Sequence, residues 1–92
     1  MKNYEIMTIY KSNLGDQAAK DLSTKVQEAV TVLGGTISKA NFWGKRKFAY
    51  ELDKEKEGYY DVVNFELDPA SMAKLKTKLK LLDGLVRYLI TA

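Results

Sequence analysis

Hydrophobic positions fall into six segments along the chain, each at strand or helix spacing. Tyr4-Glu5-Ile6-Met7-Thr8-Ile9-Tyr10 is rich in β-branched and aromatic residues and reads as a strand. Ser12-Asn13-Leu14-Gly15-Asp16 is turn chemistry, with Asp16 the expected N-cap of a helix. Leu22, Val26, Ala29, Val30 and Leu33 then fall at helical spacing on one face. Gly34-Gly35 is expected to stop that helix, because glycine takes the left-handed conformation freely.

From Thr36 to Asp53 the pattern is extended, and Gly44 interrupts it. Ile37, Phe42 and Trp43 precede the glycine, and Phe48, Tyr50 and Leu52 alternate after it. Glycine within a strand pattern predicts a bulge or bend. Asp53 to Gly58 reads as a charged loop. Tyr59 to Leu67 resumes strand character, with Tyr59, Val63, Phe65 and Leu67 on one face. Asp61 shares that parity, so its charge predicts a place near the open end of the sheet. Asp68-Pro69 opens a second helix, an acidic N-cap before proline at the first helical position. Met72, Leu75, Leu79 and Leu82 form its apolar stripe. Asp83-Gly84 is a turn, and Leu85 to Thr91 is a last strand.

The order is strand, helix, strand, strand, helix, strand. Two right-handed crossovers around a central hairpin give an α+β fold, the ferredoxin-like split βαβ sandwich. A four-stranded antiparallel sheet carries both helices on one face. If Ile6, Val63, Phe65, Tyr88 and Ile90 point at the helices, then Met7, Ile9, Tyr60, Val62, Arg87 and Leu89 lie on the other. That set is apolar for a bare surface and hints at a protein partner.

Composition narrows the function. The 92 residues make one small domain, residues 1–92, with 46% hydrophobic residues and room for a packed core. There is no cysteine and no histidine, which removes disulfides, thiolate metal sites and the usual neutral-pH general base. Ser12 and Ser71 sit at turn or helix-start positions that explain them locally, and Ser23 and Ser38 have no histidine to activate them. Asp16, Asp21 and Glu28 face solvent by period. The loop Lys11 to Gly15 does not have the composition of a phosphate cradle, and Gly34-Gly35 follows a helix instead of preceding one. No enzyme activity, metal or cofactor is expected. Met1-Lys2-Asn3-Tyr4-Glu5 has an acid where a signal peptide needs apolar residues, and no apolar run approaches a membrane span, so a cytoplasmic protein is expected.

Fifteen basic against twelve acidic residues leave a net charge of +3, which permits a polyanionic partner without demanding one. Gly44-Lys45-Arg46-Lys47 places cations beside Trp43 and Phe48, which suits phosphate contact with base stacking; it equally suits lysines that protect a strand edge from aggregation. Lys74, Lys76, Lys78 and Lys80 cover the helix face opposite Leu75 and Leu79, a solubilising surface.

Four segments carry a resemblance. Met1 to Glu5, Trp43-Gly44-Lys45-Arg46-Lys47-Phe48-Ala49-Tyr50 with Leu52 beyond it, Gly58-Tyr59-Tyr60, and Leu82-Asp83-Gly84-Leu85-Val86-Arg87-Tyr88 resemble the bacterial small-subunit ribosomal protein six family across the whole chain. Phe48 stands where that family usually has leucine, and Asp53 where it has a basic or small residue. Its members commonly carry a tail beyond the fourth strand, whereas this sequence ends at Ala92. The resemblance implies a non-catalytic protein of the small ribosomal subunit. It implies binding to the central domain of small-subunit ribosomal RNA together with ribosomal small-subunit protein eighteen. Carried over residue by residue, it puts RNA contacts on Lys2, Tyr4, Lys54, Lys80 and Arg87, expected to form one basic edge. It puts the protein partner on Phe42, Trp43, Lys45, Arg46, Lys47 and Tyr60. Two rivals share the element order: an RNA-recognition-motif protein, and a protein-interaction module of ferredoxin-like topology that ignores RNA. Against the first, Glu57-Gly58-Tyr59-Tyr60-Asp61 begins acidic and has Asp61 where an aromatic is expected.

Overall fold

A computed structural model describes the backbone of residues 1–52 and 55–92, and the side chains of residues 1–46 and 58–92. The strands are β1 (Lys2–Lys11), β2 (Thr36–Leu52), β3 (Glu55–Leu67) and β4 (Leu85–Thr91); the helices are α1 (Asp16–Val32) and α2 (Met72–Lys80). The sheet runs β2-β3-β1-β4, with every neighbouring pair antiparallel. This is the split βαβ arrangement read from the sequence. No described helix is long and apolar enough to cross a membrane.

The two helices cover one face because their apolar stripes have nowhere else to go. Val26 and Val30 of α1 and Leu75 and Leu79 of α2 are buried against Ile6, Val63, Phe65 and Leu67 of the sheet. Burying each such side chain contributes about 1.5–3 kcal/mol. A second cluster, Tyr10, Ala19, Leu22 and Tyr59, closes the other end, with Leu14, Phe42, Leu82 and Leu85 packed around it.

Helix ends obey their local sequence, with two differences from expectation. Asp16 is the first helical residue and not the cap; Gly15, at φ 85° and ψ 160°, holds the N-cap position. The carboxylate therefore works through the positive end of the helix dipole and makes no capping hydrogen bond. At the C-terminus the two glycines divide the work. The Gly34 N–H donates to Thr31 O and the Gly35 N–H to Val30 O, both at 3.0 Å, a Schellman stop with Gly34 at φ 88°. Gly35 is needed for space: a Cβ there would meet Glu66 O at 2.6 Å and Val30 Cγ1 at 2.7 Å. Asp68 caps as expected, its Oδ1 accepting from Ala70 N at 3.0 Å, although the first turn (Pro69–Ser71) is 3-10 and α2 proper starts at Met72.

The charged loop is shorter than the sequence pattern predicts. β3 begins at Glu55, which pairs with Leu52. Lys54 lies outside the described residues.

Asp61 is the substantive correction. It is not at an open rim; its exposure is 0%. Alternation placed it correctly on the helix-covered face. The charge argument that moved it outward failed because hydroxyls from β1 reach it inside: the Tyr10 hydroxyl donates to Oδ2 at 3.3 Å, and Thr8 donates to the Tyr10 oxygen at 2.8 Å.

Candidate nucleic-acid interface

β2 carries the residues expected to meet a protein partner, and its register decides which way each one faces. Pairing with β3 shifts between Ile37 and Lys39 and again between Phe42 and Gly44. Trp43 is the extra residue of the second shift, and Gly44 takes φ 82° there, the bulge expected of glycine in a strand. Phe42 pairs with Asp61 and turns to the helix face, where its ring stacks on Tyr59 at 6.2 Å between centroids. Trp43 turns to the open face and stacks on Tyr60, 6.3 Å between centroids and 6° between planes.

The expected partner residues are thus divided between two faces. Trp43 and Tyr60 stand on the open sheet. Phe42 is part of the core rim, with the Lys20 ammonium 5.9 Å from its ring centre, and the Lys45 ammonium lies 6.0 Å from the ring of Tyr59. Arg46 is exposed and bends back, its Nη1 donating to Lys45 O at 3.0 Å. Lys47 is placed on β2 by its backbone, opposite Glu57.

Around the stacked pair, the open face is apolar and graded. Tyr60 pairs with Ile9, and Ile9 pairs with Arg87. The next row is Asn41, Val62, Met7 and Leu89. Ile9 and Val62, expected on an exposed surface, are only 8% and 9% exposed, because neighbouring large side chains close over the middle of the sheet. Trp43 at 41% and Leu89 at 62% stand proud at the two margins. Beyond them the surface becomes polar, with Asn64 Nδ2 donating to Glu5 Oε2 at 3.5 Å.

The residues expected to meet RNA form two groups. Lys80, the last residue of α2, and Arg87 of the β4 edge line one concavity of about 310 Å³, with Leu79, Leu82, Leu85 and Val86 supplying its apolar wall. The α2 carbonyl end favours a cation at Lys80. Lys2 and Tyr4 lie at the start of β1, with the Lys2 ammonium 5.9 Å from the Tyr4 ring centre. Tyr4 is half-buried on the helix face and stacks on Phe65 at 5.6 Å, so its ring also belongs to the core rim. Arg87 pairs with Ile9, five residues along β1 from Tyr4, which separates the two groups by roughly 17 Å at strand rise. Lys80 and Arg87 sit at the β4 edge and Lys2 and Tyr4 at the start of β1 beside β3, so the four side chains do not meet at one point.

The concavity itself is not foreseen by the sequence pattern. Its signal was present: Leu82 and Leu85 flank the Asp83-Gly84 turn, so apolar residues had to bracket that corner. Among the described residues no group of three or more Asp or Glu side chains is placed to hold a metal ion.

The family model described as ribosomal protein S6 matches residues 3–92. The small ribosomal subunit protein bS6 of Thermoanaerobacter pseudethanolicus is 39% identical over 90 residues, 98% of this chain and 95% of that protein. The bS6 protein of Fusobacterium nucleatum is 36% identical over 90 residues, covering 98% of this chain and 96% of the relative. The crystal structure of the 30S ribosomal protein S6 from Thermotoga maritima superposes with a TM-score of 0.92 at 28% identity, covering 98% of this chain and 85% of that one.

Proposed function

Because the chain belongs to the ribosomal protein S6 family, we propose that it acts as a structural constituent of the small ribosomal subunit, binding the central domain of small-subunit ribosomal RNA together with ribosomal small-subunit protein eighteen. It carries out no catalysis in this role and needs no cofactor.

The observation that carries the reading is the separation of two unlike surfaces. Lys80 and Arg87 converge on a concavity at the β4 edge, while Trp43 and Tyr60 form a flat apolar margin at the β2 side. Cations at an edge suit phosphates, from which they release counterions. Stacked aromatics with Met7 and Leu89 suit a protein. In this reading Arg87, Lys80, Lys2 and Tyr4 meet RNA, with Lys54 in the hairpin. Trp43 and Tyr60 anchor the partner, and Lys45, Arg46 and Lys47 with Phe42 border it. So few basic contacts imply weak RNA binding by the chain alone, with the partner supplying further charge.

An RNA-recognition-motif reading is less favoured. It needs aromatics at successive open-face positions of the two central strands, and Met7, Ile9 and Val62 stand there instead.

The test is binding of a central-domain rRNA fragment across a salt series, with and without protein eighteen. Binding that requires the partner and weakens with salt supports the proposal. Binding indifferent to the partner supports a recognition-motif protein, and no binding even with the partner sinks the ribosomal RNA role.

A further inference from the structure

One buried carboxyl has no part in either surface. Asp61 of β3 stands between Thr8 of β1 and Phe42 of β2, on the helix side of the sheet. The groups facing it come from each packed element: Thr8 and Tyr10 from β1, Phe42 from β2, and buried Ser23 from α1. Lys20 of α1 and Lys45 of β2 are exposed and lie over the rings of Phe42 and Tyr59. Among the described residues the groups acting on the carboxyl are two hydroxyls and the Val62 amide, with no ammonium or guanidinium beside them.

An ionised carboxylate offers about four acceptor sites and needs donors for them when water is excluded. Among the described residues Oδ2 accepts one long hydrogen bond, 3.3 Å from the Tyr10 hydroxyl, and Oδ1 accepts none; the Ser23 hydroxyl and the Val62 amide act on the carboxyl without reaching hydrogen-bond geometry. A neutral acid suits such a site, because it asks for fewer partners and can donate through its own hydroxyl.

We propose that this chain folds with a proton on Asp61, and that the neutral acid seats α1 on the β1–β3 seam, a seat that loosens when the proton leaves. Burial raises the affinity of Asp61 for its proton, and the Ser23 and Tyr10 hydroxyls with the Val62 amide moderate the rise. Tyr10 also holds its proton more tightly than usual, first because it is buried and further because Asp61 is beside it. The cluster as a whole therefore favours its uncharged form.

The folded chain keeps a proton that the unfolded chain releases above about pH 3.9, the ordinary aspartate value. Stability from this group is full below that value and is lost as pH rises. The unfolding constant grows by up to about tenfold per pH unit until Asp61 itself ionises.

The test is urea unfolding of the wild type and Asp61→Asn from about pH 4.5 to about pH 8. The expected result is an unfolding constant that rises more steeply with pH in the wild type than in the variant, by up to about tenfold per pH unit until Asp61 ionises. Parallel profiles would overturn the proposal. If Asp61→Asn does not fold, the carboxyl-carbon NMR shift of Asp61 in the wild type decides: titration in the ordinary aspartate range overturns it, and titration above that range supports it. Hydrogen-exchange protection of the α1 amides around Ser23 should fall relative to α2 as pH rises. Unchanged α1 protection across the titration of Asp61 would overturn the seating of α1.

Discussion

The indole of Trp43 and the ring of Tyr60 lie within 6° of parallel at the β2–β3 bulge, and the indole keeps 41% of its surface exposed. The pairing exists because the strand gains one residue at Trp43, and Gly44 absorbs the turn. A stacked aromatic pair contributes about 0.5–1.5 kcal/mol beyond its burial, so removing one ring costs the isolated domain some stability without unfolding it. An aromatic anchor in a protein interface commonly carries about 2 kcal/mol or more, roughly a thirtyfold change in affinity. Trp43→Ala should therefore weaken binding of protein eighteen by about that factor while the domain remains folded at the temperature of the titration. Calorimetric titration checks it. Since Trp43 is the chain's single tryptophan, its fluorescence reports docking directly. An unchanged affinity would move the docking surface away from the bulge.

Arg87→Ala tests the other surface. The side chain is exposed on an edge strand, so its loss should change stability by no more than about 0.5 kcal/mol. If Arg87 meets a phosphate in the ternary complex with RNA, the slope of log affinity against log salt should become shallower by about 0.7–0.9. A loss of thermal stability equal to the loss of binding would assign Arg87 to the fold.

Tyr10 gives a prediction at the alkaline end. Burial, with the neighbouring Asp61 adding to it, raises its pKa well above the ordinary tyrosine value of about 10. Stability from Tyr10 is thus full below about pH 10 and is lost as pH rises toward its folded value. Spectrophotometric titration should show Tyr10 resisting ionisation until the domain opens. Tyr10→Phe should remove that late step. A tyrosine titration complete while the fold is intact would contradict the buried placement of Tyr10.

The two glycines after α1 should respond differently to alanine. At Gly34, φ is 88° and nothing lies near a new Cβ, so only backbone strain of about 1–2 kcal/mol results. At Gly35 a new Cβ would lie 2.6 Å from a backbone oxygen of β3, which cannot swing aside. Gly35→Ala should cost about 1–3 kcal/mol by overpacking and disturb the α1–β3 contact as well. Chemical denaturation gives both values. Hydrogen exchange at Glu66 and Leu67 should change for Gly35→Ala and not for Gly34→Ala.

Order, type and topology of the elements were legible because each carries its own local signal. Leu22, Val26 and Val30 repeat at helical spacing, Gly44 marks the bulge, and Asp68-Pro69 opens the second helical segment. The orientation of β2 was not legible. A bulge reverses alternation locally, so the adjacent aromatics Phe42 and Trp43 look alike in sequence yet face opposite sides of the sheet. Asp61 was misjudged for a related reason. Its partners Tyr10 and Thr8 are 51 and 53 residues away, and no local rule joins them before the sheet is built. The RNA candidates on β1 and α2 suffer from the same distance. The resemblance puts an RNA contact on Tyr4, and only the packing of β1 against β3 shows its ring stacked on Phe65.

The position of β1 has a consequence for how the chain is made. This strand is synthesised before the other three, yet it lies inside the sheet and pairs with β3 on one side and β4 on the other. The β2–β3 hairpin can form as soon as it emerges, whereas the other seams join residues far apart in sequence. Ile6 meets Ile90 only after both helices and the β2–β3 hairpin have been translated. Long-range closure of this kind slows folding relative to local contacts. Until β4 arrives, β1 exposes an unsatisfied edge beside Ile9 and Met7, and those residues are apolar. The interval between translation of the first strand and arrival of the last is therefore when this chain is most prone to mispairing, and chaperone contact during synthesis should concentrate there.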